Sequence, residues 1–147
     1  MARIYLGGAD ADSLGAALAA MGRAAPKRIV EAGATAAEKR EAEATETAGH
    51  GRPGKSRRAT GELMASIGHT DIREFLGGAS AEVYPQGNDR RGERLATIGY
   101  VINYGRGGAR KGGLGDRFIT RAEADMEAAA LDAMQAESDR IVEEYNG

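Results

Sequence analysis

The sequence of 147 residues contains no cysteine and no tryptophan, and only 5% of its residues are aromatic. Without cysteine the chain has no disulfide framework, no thiolate metal site and no thiol nucleophile. No apolar stretch approaches the length of a membrane span, and the first residues, MARIYLGGADAD, lack the hydrophobic region of a signal peptide. We therefore expect a protein that is made in the cytoplasm and does not enter a membrane.

Large apolar side chains are also scarce. The hydrophobic fraction of 41% consists largely of alanine, and the chain contains 22 glycines. The length corresponds to one ordinary domain, so we expect a single domain over residues 1–147 with a thin core. Such a composition suits a subunit that gains burial from its neighbours. A small, self-sufficient monomer is the alternative.

Neither sign of charge dominates, since 20 basic residues face 22 acidic ones for a formal net charge of −2. No global positive field therefore attracts nucleic acid. The charges are nevertheless segregated along the chain, because two glycine-containing loops near residues 48–59 and 105–115 are basic and the C-terminal segment is acidic. We expect both loops to be flexible. Their basic residues are Arg52, Lys55, Arg57 and Arg58 in the first loop and Arg106, Arg110 and Lys111 in the second.

Residues 49–56 read GHGRPGKS, which matches the spacing of a phosphate-binding loop. Such a loop works when a buried strand precedes it and a helix N-terminus follows it. Here the preceding segment, EKREAEATETA, is too polar for a buried parallel strand, and Pro53 removes one backbone donor. The sequence context therefore favours a flexible basic linker over a nucleotide site, and we expect no cofactor.

No constellation of residues indicates catalysis or metal binding. The two histidines, His50 and His69, lack the spacing of metal ligands, and a surface position is the simpler interpretation of each. Ser66 lies three residues before His69, but no nucleophile motif surrounds it, so chance proximity explains the pair equally well. We expect a protein that is not an enzyme.

The hydrophobic pattern predicts an α+β fold: an N-terminal helix, a small antiparallel sheet in the middle and a long C-terminal helix packed on it. The first helix is expected to begin at Asp10 or Asp12, and Pro26 either kinks it or opens a second helix in its first turn. From there to about Thr47 the chain can be helical but offers little to pack, so a solvated extension is the alternative.

The middle of the chain begins with a predicted helical turn that is capped by Thr60 and includes Leu63, Met64 and Ile67. Strands are then predicted near residues 70–76, 80–85 and 95–103 from their β-branched and aromatic residues. Asp116 is expected to cap the final helix. The apolar stripe of that helix, which Glu137 interrupts, comprises Ile119, Ala122, Met126, Ala130, Ala133, Met134, Ile141 and Tyr145.

Three segments in this order, TGELMASI at 60–67, GYVINYGR at 99–106 and GDRFITRAEADMEAAALDAM at 115–134, resemble the tail-component family of tailed bacteriophages. This is the head–tail joining or tail-completion type. In the family a glutamate often stands where this chain has Asn103, and a proline often stands where it has Arg117. The matching structural positions are Thr60, Gly61, Leu63, Ser66, Ile67, Ile102, Ile119 and Ala122.

The resemblance implies a virion structural protein without catalysis, which forms a hexameric ring between the connector and the tail tube. Its expected partners are copies of itself, the connector or adaptor proteins, and the tail-tube or tail-terminator proteins, with at most nonspecific contact with DNA in the channel. The residues expected at an interface are Tyr104, Gly105, Arg106, Arg110, Lys111, Arg117 and Phe118. A small nucleic-acid-associated protein that uses the two basic loops is the alternative.

Overall fold

The structure is a computed structural model that describes residues 2–6, 24–47, 61–76, 78–105 and 117–146. It has eight elements, in the order β1 (Ala2–Leu6), α1 (Ala25–Thr47), α2 (Glu62–Ala65), β2 (Ile67–His69), β3 (Arg73–Phe75), β4 (Gly78–Pro85), α3 (Leu95–Tyr104) and α4 (Phe118–Asn146). This arrangement confirms the predicted α+β fold, with an N-terminal helix, a small antiparallel sheet and a long C-terminal helix.

The sheet is organised around β4, which pairs with all three other strands in the order β1–β4–β2, with β3 also paired to β4. β1 runs antiparallel to β4 and places Ala2 opposite Val83 and Leu6 opposite Ala79. From Ala79 to Pro85 buried positions alternate with half-buried ones, as expected for a strand with one face on a core. β4 confirms the strand predicted near 80–85, whereas no strand was predicted from the sequence at the position of β1.

Internal contacts divide the chain into two compact units. Unit 1 comprises Met1–Ala37, His69–Val83 and Glu127–Gly147, and unit 2 comprises Glu38–Gly68 and Tyr84–Met126.

Unit 1 packs the first half of α1 and the second half of α4 together with β1. Ala25, Ile29 and Ile141 form a buried cluster, and Met134 packs against it. Gly33 provides the room for this packing, because a Cβ atom at its position would lie 2.7 Å from Met134 Cγ and 3.1 Å from Ile4 Cγ2. A glycine inside a helix costs stability, so its presence here reflects this close approach.

Ion pairs join α1 to α4 at the edge of unit 1. The Arg28 guanidinium donates to Glu137 Oε1 at 3.0 Å through Nε, and to both carboxylate oxygens of Glu144 at 2.8 and 3.0 Å. Arg140 donates to the second oxygen of Glu137 at 2.7 Å. The hydrogen bond from Arg28 holds the pKa of Glu144 below its usual range. Glu137, which interrupts the apolar stripe in the sequence, therefore accepts hydrogen bonds from both Arg28 and Arg140.

Unit 2 is built around a cluster of Leu63, Leu95, Phe118 and Ile119, with Ala44, Ile98 and Ile102 packed against it. The backbone of α3 approaches Leu63 and Pro85 closely at Gly99. A Cβ atom at this position would lie 3.4 Å from Pro85 Cγ and 3.5 Å from Leu63 Cδ1. The core is thus assembled from α2, α3, the first turn of α4 and Ala44 of α1.

Several sequence predictions are corrected by these elements. The segment predicted as a strand at 95–103 is helix α3, because Leu95, Gly99 and Asn103 recur every four residues and are all buried. The strand predicted near 70–76 is shorter, since only β3 (Arg73–Phe75) lies within that range, and β2 (Ile67–His69) precedes it. The predicted helical turn ends at Ala65, so Ile67 belongs to β2.

The two long helices differ from the predictions in detail. Pro26 is the second residue of α1, which confirms the second of the two alternatives for this proline. The segment up to Thr47 is helical and is not a solvated extension, since Ala34, Ala37 and Thr45 are buried. In α4, Tyr145 lies outside the buried stripe because its side chain is exposed. The predicted caps Asp10, Asp12, Thr60 and Asp116 lie outside the described residues.

Candidate interaction site at the α3–α4 junction

The junction of α3 and α4 holds four of the seven residues predicted at an interface, namely Tyr104, Gly105, Arg117 and Phe118. The other three, Arg106, Arg110 and Lys111, stand between the two helices in the sequence and lie outside the described residues. The GHGRPGKS segment at 49–56 also lies outside them.

Asn103 ties the two helices together from the end of α3. Its Oδ1 accepts hydrogen bonds from the backbone N–H groups of Ile119 at 3.0 Å and Thr120 at 3.3 Å, and its Nδ2 donates to Thr120 Oγ1 at 3.0 Å. The side chain is 1% exposed. The first N–H groups of a helix have no partner within the helix, so an amide oxygen held there acts as an N-cap supplied by another element.

Arg117 has an unusual backbone conformation, with φ at 58°. This left-handed conformation is unfavourable for a residue with a Cβ atom. It is stabilised by the hydrogen bond from Arg117 N to Asn103 O at 3.0 Å, and the carbonyl oxygen of Arg117 accepts from Arg121 N at 2.9 Å. The backbone of Arg117 thus joins the end of α3 to the start of α4.

Two tyrosines lie on the outer side of α3, one turn apart. The ring centroids of Tyr100 and Tyr104 are 4.7 Å apart with an interplanar angle of 44°, and the Arg117 Cζ atom lies 5.5 Å from the Tyr104 centroid. Both separations are those of favourable aromatic and cation–π contacts. Tyr100 is 59% exposed and its neighbour Val101 is 38% exposed. We call Tyr100, Val101, Tyr104 and Arg117 the aromatic face.

The remaining junction residues have structural roles. Phe118 is 2% exposed and belongs to the core of unit 2, so its ring is not available to a partner. Gly105 ends α3 with φ at 86°, and its N–H donates to Val101 O at 2.7 Å. With ψ at 165°, this positive φ lies in a region that glycine adopts without strain and residues with a Cβ atom rarely adopt.

Residues from all three segments that carry the resemblance meet in unit 2. Leu63 from the first segment packs with Phe118 and Ile119 from the third, and Ile102 from the second packs against them. Gly61 precedes α2 with φ at 80°, and Ser66 Oγ donates to Leu63 O at 2.7 Å, which closes the turn. Ile67 and Ala122 are half-buried, and Thr60 lies outside the described residues.

One buried titratable group lies away from this junction. Glu41 of α1 is fully buried, and among the described residues neither carboxylate oxygen has a hydrogen-bond partner. Burial raises the pKa of Glu41 from about 4.5 to about 7, because a charged carboxylate is poorly solvated there. Its backbone oxygen does accept a hydrogen bond, from Thr45 Oγ1 at 2.7 Å.

The described part of the chain contains no group of three or more metal-ligating side chains. His69 is half-buried in β2, and His50 lies outside the described ranges. No described helix is both long enough and apolar enough to cross a membrane.

Three features of this site were not predicted from the sequence: the exposed side chain of Tyr100, the exposed side chain of Val101 and the burial of Asn103. The four-residue spacing of Tyr100 and Tyr104 was the available signal, but it indicates a shared face only once residues 95–104 are recognised as a helix.

No protein family matches this chain, and no curated protein or solved structure is similar to it.

Proposed function

We propose that this protein is a structural subunit of a tailed bacteriophage particle, of the head–tail joining or tail-completion type. It forms a ring between the connector and the tail tube, and its partners are further copies of itself, the connector or adaptor proteins, and the tail-tube or tail-terminator proteins. It acts by fitting against these proteins and not by catalysis.

The observation that carries the proposal is the meeting of the three resembling segments in one core. Leu63, Ile102 and Phe118 are far apart in the sequence, and each belongs to a different segment. Their packing around one cluster makes the three segments parts of a single structural unit. The resemblance requires the three segments to belong to one structural unit, and their shared core meets this requirement.

A second supporting observation is the exposed aromatic face at the α3–α4 junction. Exposed large apolar side chains next to an arginine are typical of protein contact surfaces, because Tyr and Arg are enriched among residues that dominate binding. A subunit of a particle needs such surfaces to contact its neighbours.

The proposal is tested in the phage whose genome encodes this chain. Purified particles should contain the protein in a fixed small number of copies, measured by quantitative mass spectrometry. A nonsense mutation in its gene should yield filled heads and separate tails that do not join. Addition of the purified wild-type protein to such a lysate should restore infectious particles.

Two results would contradict the proposal: absence of the protein from complete particles, or an unchanged titre for the nonsense mutant. Tight binding of the purified protein to duplex DNA that weakens steeply with salt, without incorporation into particles, would instead favour a nucleic-acid-associated protein.

A further inference from the structure

We propose that the aromatic face of one copy of this chain docks on the exposed side of α4 of a second copy, around Leu131. The inference rests on the proposed ring and specifies which two surfaces of neighbouring subunits meet.

The second surface is a short stretch of α4 in unit 1. Leu131 is 59% exposed, and Ala128, one turn before it, is also exposed. Glu127 and Asp132 are exposed on either side of this pair. Residues three and four apart share a helix face, so the four residues form an apolar centre with a carboxylate on each flank. We call them the acidic face.

The two faces are complementary in charge and in character. The aromatic face presents apolar side chains beside the guanidinium group of Arg117. The acidic face presents apolar side chains beside two carboxylates. In such an arrangement the apolar centre is buried on binding, and the opposite charges at the rim make the contact specific for its partner.

The aromatic face is also ordered before it binds. Tyr104 contacts both Tyr100 and Arg117, so these side chains have already lost part of their conformational freedom. Binding then costs less side-chain entropy.

The two faces differ, and in the proposed ring each contact joins the aromatic face of one copy to the acidic face of the next, which makes it heterologous. Each copy that uses its aromatic face on one neighbour keeps its acidic face for the next, and the association continues until a ring closes. A twofold dimer in which two aromatic faces meet would place two faces of the same charge against each other and would leave both acidic faces unused.

Cysteine cross-linking tests the contact directly, because the chain has no cysteine of its own. One preparation carries Val101→Cys and another carries Ala128→Cys. The two preparations are mixed at high concentration, or assembled into particles, and then oxidised. They should form dimers linked by a disulfide between positions 101 and 128. A chain that carries both substitutions should form a ladder of larger disulfide-linked species. Glu74→Cys, at an exposed site on β3, is the matched control and should not cross-link to Ala128→Cys.

Charge reversal adds a second readout. Arg117→Glu should reduce the 101–128 cross-linking yield by about tenfold or more, as expected when close opposite charges become like charges. Adding Glu127→Arg and Asp132→Arg to the partner chain should restore the yield.

Four outcomes would overturn the inference: no 101–128 product in either setting, equal product in the Glu74→Cys control, a predominance of 101–101 dimers, or a loss of duplex DNA binding in Arg117→Glu with unchanged cross-linking. If particles contain the protein but give no 101–128 product, the contact is wrong while the proposed function stands. If particles lack the protein, the proposed function itself fails.

Discussion

Asn103 and Ile119 are joined by a hydrogen bond of 3.0 Å between the side-chain Oδ1 of the first and the backbone N–H of the second, although 16 positions separate them in the sequence. Asn103 lies near the end of α3 and Ile119 lies in the first turn of α4. The bond therefore fixes the position of the end of α3 relative to the start of α4.

Replacing Asn103 with alanine should destabilise the protein. The substitution removes three hydrogen bonds and leaves the N–H groups of Ile119 and Thr120 without this acceptor. Loss of a buried cap lowers the free energy of unfolding by about 2–3 kcal/mol, measurable by urea denaturation. Thr97→Ala, on the exposed side of the same helix, should change it by less than about 0.5 kcal/mol. Equal effects of the two substitutions would show that Asn103 is not a cap.

Replacing Arg117 with proline should be more damaging than replacing it with asparagine. Proline cannot adopt a φ of 58° and lacks the N–H that donates to Asn103 O, so the loss should be about 3 kcal/mol or more. Asparagine tolerates the left-handed conformation, so Arg117→Asn should stay within about 1 kcal/mol of the wild type in thermal or urea unfolding. A proline variant as stable as the wild type would contradict the backbone conformation described for residue 117.

The stability of the protein should fall as the pH rises from about 4.5 to about 7, through Glu41. The pKa of this group is higher in the folded than in the unfolded state, so the folded state binds its proton more tightly and loses that advantage as the proton dissociates. Glu41→Met should remove this slope and raise the free energy of unfolding at pH 8 by about 3 kcal/mol. Urea denaturation at several pH values measures both effects.

Glu46→Gln provides the control for this experiment, because Glu46 is exposed on the same helix and its substitution should leave the slope unchanged. A Glu41→Met variant with the wild-type pH dependence would show that another group is responsible.

Gly33→Ala should destabilise unit 1 even though alanine favours helices. The new methyl group would meet Met134 Cγ and Ile4 Cγ2 at distances that require a shift, at a cost of about 1–3 kcal/mol, against a gain in helix propensity of up to about 1 kcal/mol. Met134→Ala in the same chain should relieve the overlap. The double variant should therefore be more stable than the sum of the two single effects predicts, by more than about 0.5 kcal/mol. Strict additivity would indicate that Met134 does not approach Gly33.

The sequence predicted the elements whose signals are local. The fixed φ of proline explains why Pro26 lies in the first turn of α1, and the long apolar period of α4 identified a helix. The residues of α3 misled the prediction because Ile98, Val101 and Ile102 favour strands on average. Packing of Leu95, Gly99 and Asn103 into one core outweighed that preference.

The site could be predicted only in part, because its decisive contacts are not local. Tyr104, Gly105 and Arg117 were placed at an interface through the resemblance, and they do lie together. The cap from Asn103 to α4 spans 16 positions, and the pairing of β1 with β4 spans more than 70, since Ala2 lies opposite Val83. No periodicity within a short window reports contacts of that range.

The ion pairs of Arg28 also determine the register of α4 along α1. Glu137 and Glu144, the two carboxylates it binds, are seven residues apart and therefore two turns apart on one side of α4. Arg140 lies about one turn from each of these glutamates. A shift of α4 along α1 by one turn, in either direction, would therefore bring Arg140 to the position of one of the two carboxylates. The guanidinium groups of Arg28 and Arg140 would then lie next to each other. The ion pairs of Arg28 thus favour one register of α4 along α1, and charge repulsion disfavours the registers that are one turn away.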